Sequence, residues 1–276
     1  LGGFPTRSKP LAEYPRIDLK GQFLSFEELD KRIDDLTLSL YHPSTKLKKD
    51  LPPEVVERYQ QRIGNFNQEG RERILIAMMK INFLKRLESS IDSFRETLRR
   101  TIDKIDRLEA KIIAFEEARD ANPHLDFAKL GEDDFDDLDL DPEDLEIGGK
   151  HKINLEHLNL PDWLLAVRQD RVQLQNLLDH SRPVCAERDA KLARLREIVS
   201  QKVEKPSVNR EGKEVRKVII FTAFADTARY LYLNLAPYCR KTLKIHTALI
   251  SGGGKYQTSL GKNDFEQILT NFSPIS

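Results

Sequence analysis

Apolar residues follow a heptad pattern over the middle of the chain. One row of apolar residues is spaced by seven positions: Leu84, Ile91, Leu98, Ile105 and Ile112. A second row with the same spacing lies three positions later and is apolar except for one threonine: Leu87, Phe94, Thr101, Leu108 and Phe115. This pattern is typical of a coiled-coil seam. Because no proline or glycine occurs between Arg71 and Asp120, it predicts one continuous helix of roughly 75 Å.

A helix of this length requires a partner, because most helical stability comes from packing rather than from intrinsic propensity. A matching apolar pattern occurs downstream at Trp163, Val167, Leu174, Leu178, Leu192, Leu195 and Val199. Pro183 interrupts this pattern and is expected to kink or divide the second helix. The sequence therefore predicts an antiparallel hairpin of long helices within residues 67–205.

The region before the hairpin, residues 1–66, reads as an arm followed by short helices. Three prolines occur in residues 1–24, which favours an extended conformation. Ser25 to Glu28 form a capping box, and Leu29, Ile33, Leu36 and Leu40 continue it at helical spacing. We expect a helix of about 16 residues here, and a second, short helix from Glu54 to Ile63.

The periodicity changes in residues 206–276. Val218–Phe221 is a continuous apolar run, as in a strand that is covered on both faces. Alternation from Leu243 to Leu249 indicates a second strand, and helical spacing follows each strand. The order strand, helix, strand, helix predicts a parallel α/β unit. Since two parallel strands do not form an independently stable sheet, we expect further strands in a longer parent protein. The predicted fold class is α/β with a large all-α part.

The amino-acid composition says more about the cellular location of the protein than about its chemical activity. The chain has 276 residues, with 45 basic and 45 acidic side chains, and its formal net charge is zero. Its longest apolar run, Ile74–Met79, is far shorter than the roughly 20 residues of a membrane-spanning helix, so no membrane segment is expected. The start lacks both a signal-peptide pattern and an initiating methionine, which suggests part of a longer polypeptide. Two cysteines are too few for a disulfide scaffold, so a cytoplasmic location is expected.

An acidic segment separates the two predicted helical arms. Residues 131–146 contain ten acidic side chains and no basic one. This composition is typical of a solvated or disordered loop, which would form the tip of the hairpin. The alternative is a functional role, either as a DNA-mimicking segment or as a protein docking site.

Residues 188–195, followed by residues 217–224, form a pattern that resembles a known family. They are similar to the entry into the second RecA-like lobe of the Swi/Snf-type ATP-dependent DNA translocases of helicase superfamily two. Residues 247–252 resemble the next strand with its closing glycine, and residues 264–272 resemble the helix after it. Residues 83–90 are similar to the linker of a bacterial branch in which a long helical insertion separates the two motor lobes.

The resemblance implies a partial RecA-like lobe joined to a helical insertion. The whole enzyme would use ATP and Mg²⁺ to move along duplex DNA. Its phosphate-binding loop, acidic metal site and transition-state arginines are expected outside these 276 residues. We therefore expect no catalytic residue and no ATP hydrolysis in this chain alone.

Three groups of residues are candidates for DNA contact. Thr222, Ala223 and Phe224 follow the first predicted strand, where α/β sheets place ligands, and helix capping by Thr222 or Asp226 is the alternative. Gly252 and Lys255 lie in a glycine-rich loop that fails the P-loop spacing and can instead be a simple flexible loop.

Basic residues form the third group. Residues 182–217 contain eleven basic and six acidic residues, a net charge of +5. Arg194, Arg196 and Lys202 are the candidates there for phosphate contacts, and a solvated helix face is the alternative. The six histidines show no metal-ligand spacing, so no metal site is predicted.

A second hypothesis belongs to another class. The five-heptad seam and the acidic segment are also compatible with a non-catalytic coiled-coil scaffold that carries a small α/β cap. On that hypothesis the long hairpin binds a protein partner rather than DNA.

Overall fold

A computed structural model describes residues 9–60, 68–121, 154–209, 212–252, 256–261 and 264–272. Contacts along the chain divide it into two compact units. The helical unit comprises Phe26–Arg182, and the mixed unit combines Leu1–Ser25 with Pro183–Ser276. Part of the predicted hairpin, residues 183–205, therefore belongs to the mixed unit.

The helical unit contains five described helices. They are α1 (Phe26–Asp34), α2 (Pro53–Gln60), α3 (Gln68–Ser89), α4 (Ile91–Ala121) and α5 (Leu160–Ser181). Short 3₁₀ turns occupy Ser39–Tyr41, Pro43–Lys46 and Leu155–His157. The acidic segment 131–146 lies outside the described residues.

Helices α4 and α5 pack antiparallel, as the heptad pattern predicted. Arg95 near the start of α4 donates to the carbonyl of Ser181 at the end of α5. Farther along α4, Glu109 pairs with Arg168 at 2.6 Å, which fixes the opposite direction of the two chains. Seam residues of α4 are buried: Ile91, Phe94, Leu98, Thr101, Ile105, Ile112 and Phe115. Their apolar burial, worth about 1.5–3 kcal/mol for each large side chain, stabilises the hairpin.

The predicted continuous helix from residue 71 to 120 is wrong, because the helix breaks at Ser90. The ring centroids of Phe83 and Phe94 lie 6.5 Å apart at an interplanar angle of 83°. Eleven residues of a straight helix would separate these positions by about 16 Å, so the chain bends between them. Ser90 Oγ accepts the amide hydrogen of Ser93 at 3.0 Å, as the first cap of α4.

The predicted 16-residue helix after Ser25 is also too long, since α1 ends at Asp34. Leu36, Leu38 and Leu40 are buried, but they lie in a loop held from α5. The buried Asp170 carboxylate accepts the amides of Thr37, Leu38 and Ser39 at 3.1, 3.0 and 2.6 Å. Leu38 adopts the left-handed conformation at φ 51°, which a continuous helix excludes.

The mixed unit contains three described α-helices, a π-helical turn at Cys239–Leu243 and two small sheets. The helices are α6 (Ala190–Glu204), α7 (Ala225–Tyr238) and α8 (Phe265–Phe272). Strands β1 (Ser207–Val208) and β2 (Glu214–Val215) form one antiparallel pair, and β3 (Ala248–Ile250) and β4 (Tyr256–Thr258) form another. Leu192 and Val199 of α6 pack with Leu235 and Cys239 in the core of this unit. Pro183 does divide the downstream helices, since α5 ends at Ser181 and α6 begins at Ala190.

The predicted parallel pairing is not seen in the described residues, where both sheets are antiparallel. The strand predicted at Val218–Phe221 is wrong, because that segment is irregular. Ile219 is 58% exposed and Phe221 90% exposed, so no neighbouring strand covers them in the part of the chain that the structure describes. The second predicted strand is reduced to Ala248–Ile250 and pairs with the segment that follows it. The large all-α part is observed, whereas a RecA-like lobe is not shown.

Candidate nucleic-acid interface

Asp189 fixes the start of α6 within the mixed unit. Its side chain occupies the N-cap position and accepts the amide hydrogen of Leu192 at 3.0 Å. The second carboxylate oxygen accepts from the Tyr230 hydroxyl at 2.9 Å. One buried carboxylate thereby caps α6 and ties it to α7, and so orients the basic residues of α6.

Asp18 connects the N-terminal arm to the same place. It accepts the amides of Lys20, Gln22 and Phe23 at 3.1, 2.9 and 3.2 Å. Arg188 donates to both of its oxygens, at 3.0 and 2.5 Å. The Arg188 guanidinium, assisted by the backbone amides, holds the pKa of Asp18 well below its usual range although burial opposes this shift. The arm is therefore fastened beside Asp189, with which Asp18 also forms an isolated β-bridge.

Arg194 is engaged by two carboxylates. Glu13 of the arm accepts from its Nε at 2.5 Å and its Nη2 at 2.7 Å, and Glu197 accepts from Nη1 at 2.9 Å. These bonds, chiefly the one with Glu13, raise the pKa of Arg194 further above its usual value. The bond with Arg194 in turn lowers the pKa of Glu13. The Arg194 guanidinium is thus already paired with two carboxylates of the protein itself.

Arg196 and Lys202 bond to neutral acceptors instead. Arg196 donates to the Asn234 carbonyl at 3.2 Å and lies 5.7 Å from the ring centroid of Tyr238. Lys202 donates to Ser207 Oγ at 2.6 Å. At 3.6 residues per turn, Arg196 is rotated about 160° from Arg194. The structure therefore does not bring the three predicted cations together on one face of α6.

Thr222, Ala223 and Phe224 form the turn that leads into α7. Thr222 Oγ1 accepts the amide hydrogen of Phe224 at 3.4 Å, and Ala223 is exposed. Phe224 is the N-cap residue, without a side-chain cap. Thr222 thus stabilises the turn before the helix, but it does not cap α7 itself.

The glycine-rich loop is described only in part. Gly252 follows β3, and a Cβ added there would meet no atom within 4 Å. A side chain at this position would therefore meet no steric obstacle among the described residues. Lys255, the other predicted contact of this loop, lies outside the described residues.

Glu13, Asp18 and Tyr230 were not among the sequence candidates, although they hold this region together. For Asp18 a signal was present: an aspartate three positions before Gly21, whose φ of 63° closes a turn. The sequence contains no comparable signal for the pairing of Glu13 with Arg194, because the two residues are 181 positions apart.

The described residues were searched for clusters of metal-ligating side chains and for membrane-spanning helices. Nowhere among them do three or more His, Cys, Asp or Glu side chains come together as a possible metal site. None of the described helices is both long and apolar enough to cross a membrane.

Comparison with protein-family models, with curated proteins and with solved structures found no match to this chain.

Proposed function

We propose that this chain is part of a Swi/Snf-type ATP-dependent DNA translocase, in which it supplies a helical insertion and the beginning of the second RecA-like lobe. The resemblance of residues 188–195, 217–224 and 247–252 to that family supports the proposal. The observed helical unit, with α4 and α5 packed antiparallel, is compatible with an insertion between motor lobes.

One observation carries the proposal: the apolar run at the start of the expected lobe faces water. Val218 packs against the core formed by α6 and α7, whereas Ile219, Ile220 and Phe221 are exposed by 58%, 40% and 90%. Continuous runs of this kind are normal in parallel strands covered on both faces. An apolar run of this kind that lies open to water indicates a missing neighbour, and further strands of a RecA-like sheet would supply it.

The contacts with DNA would be electrostatic and independent of sequence. Arg196 and Lys202 hydrogen-bond only to neutral acceptors among the described residues. The charge of Lys202 is therefore available to a phosphate, whereas Arg196 already attracts the Glu187 carboxylate. The turn 222–224 and the loop with Gly252 and Lys255 would present backbone amides, except that of Phe224, which already donates to Thr222 Oγ1. Arg194 would contribute least, because Glu13 and Glu197 already balance its charge.

No ATP chemistry is assigned to the residues of this chain. When bound to the whole enzyme, ATP and Mg²⁺ would supply the phosphoryl transfer that drives movement. Among the described residues, no three or more His, Cys, Asp or Glu side chains come together as a possible metal site. The role of this chain would be to contact DNA and to form one wall of the motor lobe.

The test replaces Phe221 with aspartate. In this chain the substitution should change the free energy of unfolding by less than about 0.5 kcal/mol, as is usual at exposed sites. In the longer natural protein the same residue would be buried in a sheet, and F221D should abolish DNA-stimulated ATP hydrolysis. The measurements are urea unfolding of the chain and a steady-state ATPase assay of the natural protein.

Leu233→Asp is the matched control, because Leu233 is an apolar residue of the same unit and is 58% exposed. It lies on the water-facing side of α7, so L233D should leave ATP hydrolysis unchanged and should cost only the roughly 0.5 kcal/mol of helix propensity that separates aspartate from leucine. A natural protein without DNA-stimulated ATPase activity, or one that tolerates F221D, would contradict the proposal.

A scaffold function is the second candidate, and exposed apolar residues on the hairpin favour it. Leu165 and Val172 are seven positions apart on α5 and are 60% and 57% exposed. Such a stripe is typical of a helix that packs on a partner. If the hairpin is a scaffold, sedimentation equilibrium should show an oligomer that L165E/V172E dissociates. A monomer at all concentrations would remove self-association as the scaffold's activity.

A further inference from the structure

The helical unit contains a groove that is lined by four cationic side chains: Lys46, Lys48, Lys49 and Arg119. It has a volume of about 650 Å³ and is partly open to solvent. Its walls are residues 45–50, the end of α4 at Glu116 and Arg119, and residues 158–162 at the start of α5. We propose that this groove binds the phosphodiester backbone of a nucleic acid.

The lysine-bearing wall of the groove is held in place before any ligand binds. Leu47 forms a β-bridge with Leu158. On either side of it, the Lys48 amide donates to the His157 carbonyl at 2.9 Å, and the Asn159 amide donates to the Lys46 carbonyl at 2.7 Å. Since this backbone is fixed, binding would cost only the ordering of side chains, which is the benefit of a preorganised site.

Four cations line the groove, and three of them have no carboxylate partner in the described residues. Lys46, Lys48 and Lys49 make no ion pair there, and Arg119 reaches only the adjacent Asp120, at 3.9 Å. The contrast is with the middle of the hairpin, where Arg171 is paired with Asp106 at 2.5 Å. The positive charge of the groove therefore remains available to a ligand.

Three carboxylates moderate this charge. Asp50, Glu116 and Asp162 also line the groove, so four cations less three anions give a net charge of +1. Asp162 already accepts from the side-chain amide of Asn159 at 2.6 Å. A weakly positive groove predicts modest, strongly salt-dependent binding, and removing one of these carboxylates should strengthen it.

A nucleic-acid backbone fits these features better than an acidic peptide. Lysine ammonium groups act as point charges that suit phosphates. The groove offers no buried guanidinium fork for a carboxylate among its described residues. Phosphates contacted in this way fix position rather than sequence. The inference rests on the proposed function, and it extends the expected DNA contact from the mixed unit to the helical unit.

The experiment compares two triple charge reversals in the chain as it stands. K46E/K48E/K49E removes the lysines of the groove. K31E/R32E/R107E makes the same change in net charge at positions outside the groove, in α1 and α4. Affinity for a random-sequence duplex is measured by fluorescence anisotropy over a range of salt concentrations. Circular dichroism verifies that both variants keep their helices.

We expect the groove variant to lower the slope of log affinity against log salt concentration by roughly 2.7, because each phosphate contact contributes about 0.9. The control should keep most of that slope. Glu116→Gln should change affinity in the opposite direction and bind the duplex more tightly. The sign of this second variant cannot come from misfolding.

Three results would overturn the inference and leave the proposed function standing. The first is that the wild-type chain binds the duplex and that both triple variants lose the same amount of affinity. The second is polyglutamate binding that matches the duplex in affinity and salt slope, which would assign the groove to acidic proteins. Absence of salt-dependent duplex binding by the wild-type chain would overturn the groove as a nucleic-acid site, while the Phe221 test would still judge the translocase proposal.

Discussion

At the scale of single residues, buried carboxylates hold the local structure. Asp18, Asp170 and Asp189 are at most 4% exposed, and each accepts at least one backbone amide hydrogen. Buried acids of this kind are stable only when such donors surround them. Their role here is structural: they fix the arm, the 37–41 loop and the start of α6.

Asp18 makes stability depend on pH in a defined direction. Its pKa is depressed in the folded chain, so its contribution is complete above the ordinary value of about 3.9 and is lost as pH falls through the folded value. Asp18→Asn should lower the free energy of unfolding at pH 7 and flatten its decline below pH 4. Urea unfolding at a series of pH values measures both. If the free energy of unfolding of the variant fell equally steeply at acid pH, other carboxylates would be responsible for that fall.

At the scale of elements, the heptads predicted α4 and its antiparallel partner because burial on one helical face leaves a clear period. The break at Ser90 was missed because it depends on a serine cap and on the contact between Phe83 and Phe94. The length of α1 was overestimated because Leu36 and Leu40 are buried at helical spacing although they lie beyond its last residue, Asp34. The strand at Val218–Phe221 failed for another reason: a strand requires a neighbour, which local sequence does not specify.

Ser90→Ala separates a bent helix pair from a continuous helix. If the bend is the stable state, loss of the cap on Ser93 should cost about 1 kcal/mol in the free energy of unfolding. If a continuous helix were more stable, alanine would instead stabilise the chain, because it is the better helix former. Chemical denaturation distinguishes the two results by their sign. A stabilised variant would contradict the structure at this point.

At the scale of the whole molecule, zero net charge conceals local separation of charge. The sequence identified the basic character of residues 182–217 but not the partners of those cations, since Glu13 reaches Arg194 from the opposite end of the chain. It did not single out Lys46, Lys48 and Lys49 either, because a lysine-rich turn looks like ordinary solvated surface. Only the bridge between Leu47 and Leu158 turns that segment into the wall of a groove.

The open segment at Phe221 also bears on how the chain behaves in concentrated solution. Residues 218–224 carry no charge, proline or glycine, a composition that promotes amyloid-like stacking between copies. Arg216 and Lys217 stand immediately before it, where gatekeeper charges oppose such assembly. Lys217 donates to the Phe272 carbonyl and lies 5.5 Å from the centroid of that ring. Fibril formation should therefore accelerate when Lys217 is neutralised, and thioflavin fluorescence would follow it.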